Sequence, residues 1–433
     1  MSNSKKGLRI GNYRITPLGL GALAAILLII IAVIVLVVVN PFGTGDTSRA
    51  RVAPSPSPSV TPVPTPVPTP SPTPEPTPRA ATIRSLGEIA IQDNLLEAAR
   101  AEDGSYDFSA MFSYVSDVMG DADYTVADVE GSLGGTQDFS GSGKKMLTPP
   151  ALLDALKASG VDMLTVANDH ALDGGMEDLT ASLSNIRNAG LEYVGGATSQ
   201  VERDTAKIVT INGIKVGFVA YTESLNGMEN ETSDDAIKYG VNLVRKSNAK
   251  KDVQACRDAG ADVVVAYVSW GEMLNPNTTE NQKTIAKALV SVGVDVIIGY
   301  NPHVIQPATW IEMKDSAGNV TQRTLCLCAP GNFLSDSREA PSDSGIIFEF
   351  TIQEKADFSG FEITNPIYIP TFVWRIENPD QTYEYRALAA GQWLESSPGD
   401  PEPMNYGQYS RMKTVFAEAQ TAMGADVATV ANE

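Results

Sequence analysis

Histidine is almost absent. The 433 residues contain two, His170 and His303, so any imidazole chemistry falls to these. Cysteine is scarce as well. Cys256, Cys326 and Cys328 make an odd count, which excludes a disulfide framework and leaves at least one thiol free. Cys326 and Cys328 alternate along a predicted strand and share one face as small apolar residues, with a functional Cys-x-Cys pair as the alternative. Positive charge is the third shortage: 32 Lys and Arg stand against 52 Asp and Glu, a net charge of -20. Residues 1–51 hold six of the basic residues and one acid, leaving 26 basic and 51 acidic residues beyond them. A surface this acidic disfavours nucleic acid and anionic lipid as partners. It repels an acidic polymer except at a local basic or metal-filled site.

Apolar residues make up 43% of the chain and charged residues 19%, enough for a globular core in one large or two ordinary domains. Residues 18–39 form an uncharged apolar run. At about 1.5 Å per residue it spans roughly 33 Å, against a hydrocarbon core of about 30 Å. Lys5, Lys6, Arg9 and Arg14 precede it, so the positive-inside rule assigns residues 1–17 to the cytoplasm and the main domain to the cell exterior. A cleaved signal is the alternative, though the run is long for one. Residues 40–81 form a Pro/Thr/Ser-rich linker, with proline at nearly every second position from Pro54 to Pro78. Such a chain cannot pack a core and extends as polyproline II, a spacer.

From residue 82 to 377 short apolar runs alternate with helical patterns. Strands are expected at 83–91, 124–129, 161–167, 262–268, 294–299, 324–328 and 345–352. Helices are expected at 108–119, 149–159, 173–189, 248–259 and 280–292. A hairpin is expected at 207–221 around Asn212-Gly213. This order predicts an α/β fold with mixed sheets covered by helices. Residues 378–433 read as a C-terminal extension ending in a helix at 409–423.

Polar residues collect where the strands end: Glu88, Asp128, Glu130, Asn168, Asp169, His170, Ser269, Glu272, Asn301, His303 and Asn332. Carboxylates, amides and imidazoles gathered at the strand ends of an α/β sheet suit a metal or phosphate site. The competing reading is helix capping, which fits Asp169 and Asp173 because the helix at 173–189 begins there.

Asn168-Asp169-His170-Ala171-Leu172-Asp173 resembles the Asn-Asn-His-Ala-Leu-Asp motif of the CapA capsule synthesis family, the poly-γ-glutamate synthesis proteins. Further blocks agree in order. Gly87-Glu88 resembles the family's Gly-Asp, and Asp128-Val129-Glu130 its Asn-Leu-Glu. Ser269-Trp270-Gly271-Glu272 resembles His-Trp-Gly-Glu, with Gln282 following. Gly299-Tyr300-Asn301-Pro302-His303-Val304, with Gln306-Pro307, resembles Gly-His-His-Pro-His-Val and its Gln-Pro. Pro330-Gly331-Asn332-Phe333 resembles Leu-Gly-Asn-Phe. The similarity covers about residues 82–375.

The family in turn resembles calcineurin-like metallophosphatases, which implies an αββα sandwich and a two-metal site. The resemblance implies one metal on Glu88, Glu130 and His303. A second would share Glu130 and use Asn168, but its two histidines are replaced here by Ser269 and Asn301. His170 matches the residue that assists the leaving group, and Asp128, Asp169, Glu272 and Asn332 would line the site. Loss of two imidazoles weakens transition-metal binding. The resemblance therefore implies one divalent cation (Mn, Mg, Ca or Zn) or none. Together with the apolar run and the linker, it points to a membrane-anchored extracellular protein that serves capsule or poly-γ-glutamate synthesis or export, and the missing histidines point to weak or no hydrolase activity. Its partners would be the polymer or the synthesis proteins, with no nucleic acid. A one-metal phosphoesterase or related hydrolase is the first alternative, and a stalked surface-binding protein unrelated to capsule the second.

Overall fold

In the computed structural model residues 8–10, 13–15, 77–232, 234–397, 401, 403–424 and 427–430 are described. Residues 1–73 and 74–433 are separate units. In the first, Leu8–Ile10 pairs antiparallel with Tyr13–Ile15. The apolar run at 18–39 and most of the linker at 40–81 lie outside the described residues. Among those described, no helix is long and apolar enough to cross a membrane.

The second unit is a mixed α/β fold with two large sheets. The first sheet holds β1 (Ala80–Ile89), β2 (Tyr124–Val129), β3 (Met163–Thr165) and β4 (Glu192–Val194), all parallel. The second holds the hairpin β5 (Lys207–Ile211) and β6 (Ile214–Thr222), then β7 (Val263–Ser269) and β8 (Val296–Tyr300) parallel to β6. The antiparallel pair β9 (Ile305–Lys314) and β10 (Val320–Pro330) completes it. The chain returns to the first sheet through β11 (Asn332–Leu334), beside β1. It continues through β12 (Ser344–Glu354), β13 (Phe361–Glu377) and β14 (Tyr383–Ala389), which pair antiparallel in that order outward from β1.

The sheets pack face to face, and the joint is aromatic. Phe218, Tyr267 and Tyr300, on adjacent strands of the second sheet, stack in a row with ring centroids 6.5 and 6.1 Å apart. The Tyr267 hydroxyl lies 3.1 Å from Ser85 Oγ, and the Tyr300 hydroxyl donates to Leu86 O at 3.1 Å, both on β1. On the other face of the second sheet, Val264, Ala266, Val268, Cys326 and Cys328 pack against two helices, α2 (Lys246–Asp258) and α3 (Glu280–Val290). With both faces buried, β7 reads as an unbroken apolar run. All three thiols are free and buried in this layer, as small apolar residues would be.

The expected helix at 108–119 is two short ones, Ser109–Phe112 and Ser116–Gly120, broken at Val115. The break lets Phe112 stack on Phe333 while Tyr114 meets the edges of Trp374 and Trp393. The described residues between 378 and 430 join the main body. They supply β14, and helix α4 (Tyr406–Met423) seats Met412 and Val415 against Phe372, Trp374 and Leu388.

One glycine fixes how β7 and β8 deliver their ends. A Cβ on Gly299 would lie 2.0 Å from Cys328 O and 2.2 Å from Trp270 Nε1, which donates to that same carbonyl at 2.8 Å. Gly299→Ala is therefore expected to cost about 3 kcal/mol or more, because backbone and a bonded indole cannot both yield. Urea unfolding measures it, and a loss under about 1 kcal/mol would show that the indole moves aside.

Candidate active site

Parallel strands place their carboxyl ends on one edge, and the polar cluster forms there. β1 carries Glu88 in register with Asp128 of β2, which is in register with Thr165 of β3. Glu130 follows β2, its amide bonded to Ile89 O at 3.0 Å. The turn after β3 brings Asn168, Asp169 and His170. Asn168 is locked in place: its Oδ1 accepts from the amides of Gly131 and His170, both at 3.2 Å, and its Nδ2 donates to Val129 O at 2.9 Å. The loop after β8 lays His303 across the carboxylates of the other sheet.

The two histidines are held alike. His170 Nδ1 lies 2.6 Å from Asp173 Oδ2. His303 Nδ1 lies 3.0 Å from Asn332 Oδ1 and 3.1 Å from Glu88 Oε2, and the His303 amide donates to Glu88 Oε1 at 3.3 Å. In each ring Nε2 is turned toward Glu130, and both Nε2 atoms lie 3.7 Å from Glu130 Oε1. That is too long for a hydrogen bond. Asp169 Oδ2 is 3.9 Å from His170 Nε2.

Burial and charge act against each other here. Glu88 is pushed up to about 7 by burial, against the pull of His303. Burial also raises Glu130, although His303 and His170 oppose it, and it lifts Asp128 well above the carboxylate range despite a bond from Thr165. Burial pulls both imidazoles down, but their carboxylate neighbours outweigh it. His170 rises to about 9 through Asp173, Glu130 and Asp169, and His303 to about 9 through Glu88 and Glu130. Without a cation, two imidazolium ions offset the buried acids.

The donor set fits one divalent cation. Glu130, Asp169 and His170 place ligand atoms within 4.8 Å of one another, and His303 Nε2 faces the same Glu130 oxygen. Two ligands about 2.1 Å from a tetrahedral centre stand roughly 3.4 Å apart, near the separations seen. The carboxylates on both Nδ1 atoms fix the tautomer that frees Nε2 for a metal. The second position is poor. Ser269, buried at the end of β7, offers only a hydroxyl, and Asn301, whose Nδ2 donates to Trp270 O at 3.2 Å and Gly271 O at 3.1 Å, only a neutral amide oxygen.

The structure brings together Glu88, Asp128, Glu130, Asn168, Asp169, His170, His303 and Asn332. Glu272 stands apart, exposed, its carboxylate accepting from Asn275 at 3.0 Å. Helix capping, the competing sequence reading for Asp173, is not what the structure shows. Helix α1 (Gly175–Asn188) has Gly174 at its N-cap with no side-chain bond, while Asp173 Oδ2 accepts from His170 and from the Met146 amide at 2.7 Å. The three-residue spacing from His170 was the available signal. Three non-glycine residues around the cleft, Leu274, Asn301 and His303, have left-handed backbones with φ of 58, 90 and 57°.

Residues 82–337 match the family model described as bacterial capsule synthesis protein PGA_cap. The chain belongs to this family. It is 22% identical over 280 residues to the capsule biosynthesis protein CapA of Bacillus anthracis, covering 63% of this chain and 64% of that one. It is 23% identical over 264 residues to the PGA biosynthesis protein CapA of Bacillus subtilis, covering 59% of this chain and 64% of that one. The chain thus spans just under two thirds of these curated relatives. Among solved structures it is similar to the calcineurin-like phosphoesterase YfkN of Bacillus subtilis, at 11% identity and a TM-score of 0.41, covering 79% of this chain and 98% of that one.

Proposed function

We propose that this family member is anchored in the cell membrane by residues 18–39, with a linker at 40–81 holding a metallophosphatase-like αββα domain outside the cell. It serves synthesis or export of poly-γ-glutamate or a related acidic capsule polymer. Its partners are the polymer or the synthesis proteins. The cleft holds one divalent cation and has weak or no hydrolase activity. The observation that carries the site reading is the convergence of His170 Nε2 and His303 Nε2 on one Glu130 oxygen, 3.7 Å from each. In this arrangement Glu130, Asp169 and the two imidazoles hold the cation, and Glu88, Asp173 and Asn332 orient the rings. A bound cation would supply positive charge to fix and polarise an anionic group. Two-metal displacement needs a second cation about 3.5–4 Å away, and Ser269 and Asn301 are weak ligands for it.

A second reading, a one-metal phosphoesterase with His170 as general acid, is favoured by the 2.6 Å bond between His170 Nδ1 and Asp173. Such a bond keeps the imidazole protonated and aimed.

Elemental analysis and titration of the full-length chain with Mn²⁺ and Zn²⁺ test the site. One cation per chain is expected. Two would favour a two-metal hydrolase, and none at about millimolar concentration would overturn the site reading. Loss of capsule on deletion in the producing cell is the expected cellular result, and an intact capsule would overturn the polymer role.

A further inference from the structure

Helix α1 turns a polar stripe inward, where a packed helix usually turns an apolar one. Asp178, Ser182 and Asn185 follow one another at four and three residues and so share one face. Asp178 is 2% exposed and Ser182 4%. A carboxyl group is costly in such a place unless its oxygens are satisfied, and one loop, residues 132–136, satisfies them. The Ser132 hydroxyl donates to Asp178 Oδ2. The Thr136 hydroxyl and amide donate to Oδ1, the amide at 3.0 Å. Ser182 Oγ accepts from the Leu133 amide at 2.8 Å. Asn185 Nδ2 donates to Leu133 O at 2.9 Å and Gly134 O at 3.0 Å. Gly134 lies so close that a Cβ there would overlap the Asp178 carboxylate.

The loop held in this way continues directly from Glu130. Gly131, between them, donates its amide to Asn168 Oδ1 at 3.2 Å, and the His170 amide shares that oxygen. The Ser132 amide donates to Met146 O at 2.9 Å. The Met146 amide in turn reaches Asp173 Oδ2 at 2.7 Å, the oxygen that holds His170 Nδ1. Helix α1 thus ties down two strand ends at once. Its start continues the Asn168–Asp173 turn after β3, and its flank clamps the loop after β2. The 3.7 Å separation of Glu130 Oε1 from His170 Nε2 is set through this one element. None of the three stripe residues is itself a cation ligand.

We infer that Asp178, with Ser182 and Asn185, is a positioning residue that holds Glu130 in line with the two imidazoles. The inference rests on the one-cation reading of the cleft for its effect on metal. A substitution at Asp178 therefore acts on cation geometry from outside the ligand set. In the full-length chain, Asp178→Ala is expected to raise the Mn²⁺ dissociation constant about tenfold and to change the electron paramagnetic resonance spectrum of the saturated Mn²⁺ form. Asp178→Asn keeps the shape and an acceptor for the Thr136 amide, and should stay within about threefold of the parent chain.

Asp295→Ala separates positioning from general loss of stability. Asp295 precedes β8 at the edge of the second sheet away from the cleft, where it accepts from Arg257 at 2.6 Å and the Val264 amide at 2.7 Å. It should lower Tm and leave both the affinity and the spectrum alone. Equal changes from Asp178→Ala and Asp295→Ala would overturn the inference, as would an Asp178→Ala affinity within twofold of the parent. Should Asp178→Ala not fold, Ser182→Ala decides: it is expected to weaken Mn²⁺ about threefold, and no change overturns the inference. A parent chain that takes up no cation would overturn the cation site instead, and hydrogen exchange then tests the stripe. The Gly131 amide should exchange at least about tenfold faster in Asp178→Ala, while the amides of β7 and β8 keep their rates. An unchanged Gly131 rate would overturn the positioning role.

Discussion

His303→Ala is expected to raise the dissociation constant for Mn²⁺ by at least about 100-fold, and Asp173→Asn by about tenfold. The first removes a ligand atom, and the second removes the carboxylate that fixes the other ring. The asymmetry follows from the geometry. His303 turns Nε2 to Glu130 at 3.7 Å, whereas Asp173 touches only the Nδ1 side of His170, at 2.6 Å. Glu272→Gln serves as the control and should leave affinity unchanged, since Glu272 is exposed and contacts Asn275. Titration of the three variants at one pH is enough. If His303→Ala and Glu272→Gln bind alike, the cation lies elsewhere and the cluster is a structural ion network.

The second large effect concerns pH. Both histidines have folded values near 9, above the ordinary 6.5, so their contribution is complete below pH 6.5 and is lost as pH rises through 9. Glu88, raised from 4.5 to about 7, acts in the same sense: the folded state favours its neutral acid, and that contribution is lost as pH rises from 4.5 through 7. The cation-free protein should therefore lose stability steadily between about pH 5 and pH 9, with Tm falling on the order of 5 °C across the upper half of that window. A divalent cation replaces the same protons. Mn²⁺ should thus raise Tm more at pH 8.5 than at pH 6, and its binding should release protons. A flat cation-free profile, or a larger Mn²⁺ effect at pH 6, would show that the cluster does not exchange protons for metal.

Much of this architecture is legible in the sequence. Residues 124–129 form the strand expected of them, and 207–211 the first arm of the expected hairpin, because their apolar patterns are continuous and bounded by turns. Strand β13 was not foreseen. It carries Pro366 and Pro370 and many half-buried positions, and prolines within a run argue against a central strand. It tolerates them within a 17-residue partner to β12 whose register shifts near Glu349. The candidate site divides in the same way. Strand-end polarity and the family motifs located Glu88, Glu130, Asn168, His170 and His303. Ring direction was not legible, because it depends on contacts such as His303 with Asn332 and His170 with Asp173 that only the folded chain brings together.

The left-handed backbones at Leu274, Asn301 and His303 set durability against capability. Each costs on the order of 1–3 kcal/mol that glycine would not incur. A library of this domain sorted only for survival on heating would be drawn toward glycine at these positions. In gaining toughness it would discard the imidazole that reaches Glu130 and the amide that braces Trp270. A more heat-resistant descendant would then be an emptier one, its cleft still shaped but no longer furnished.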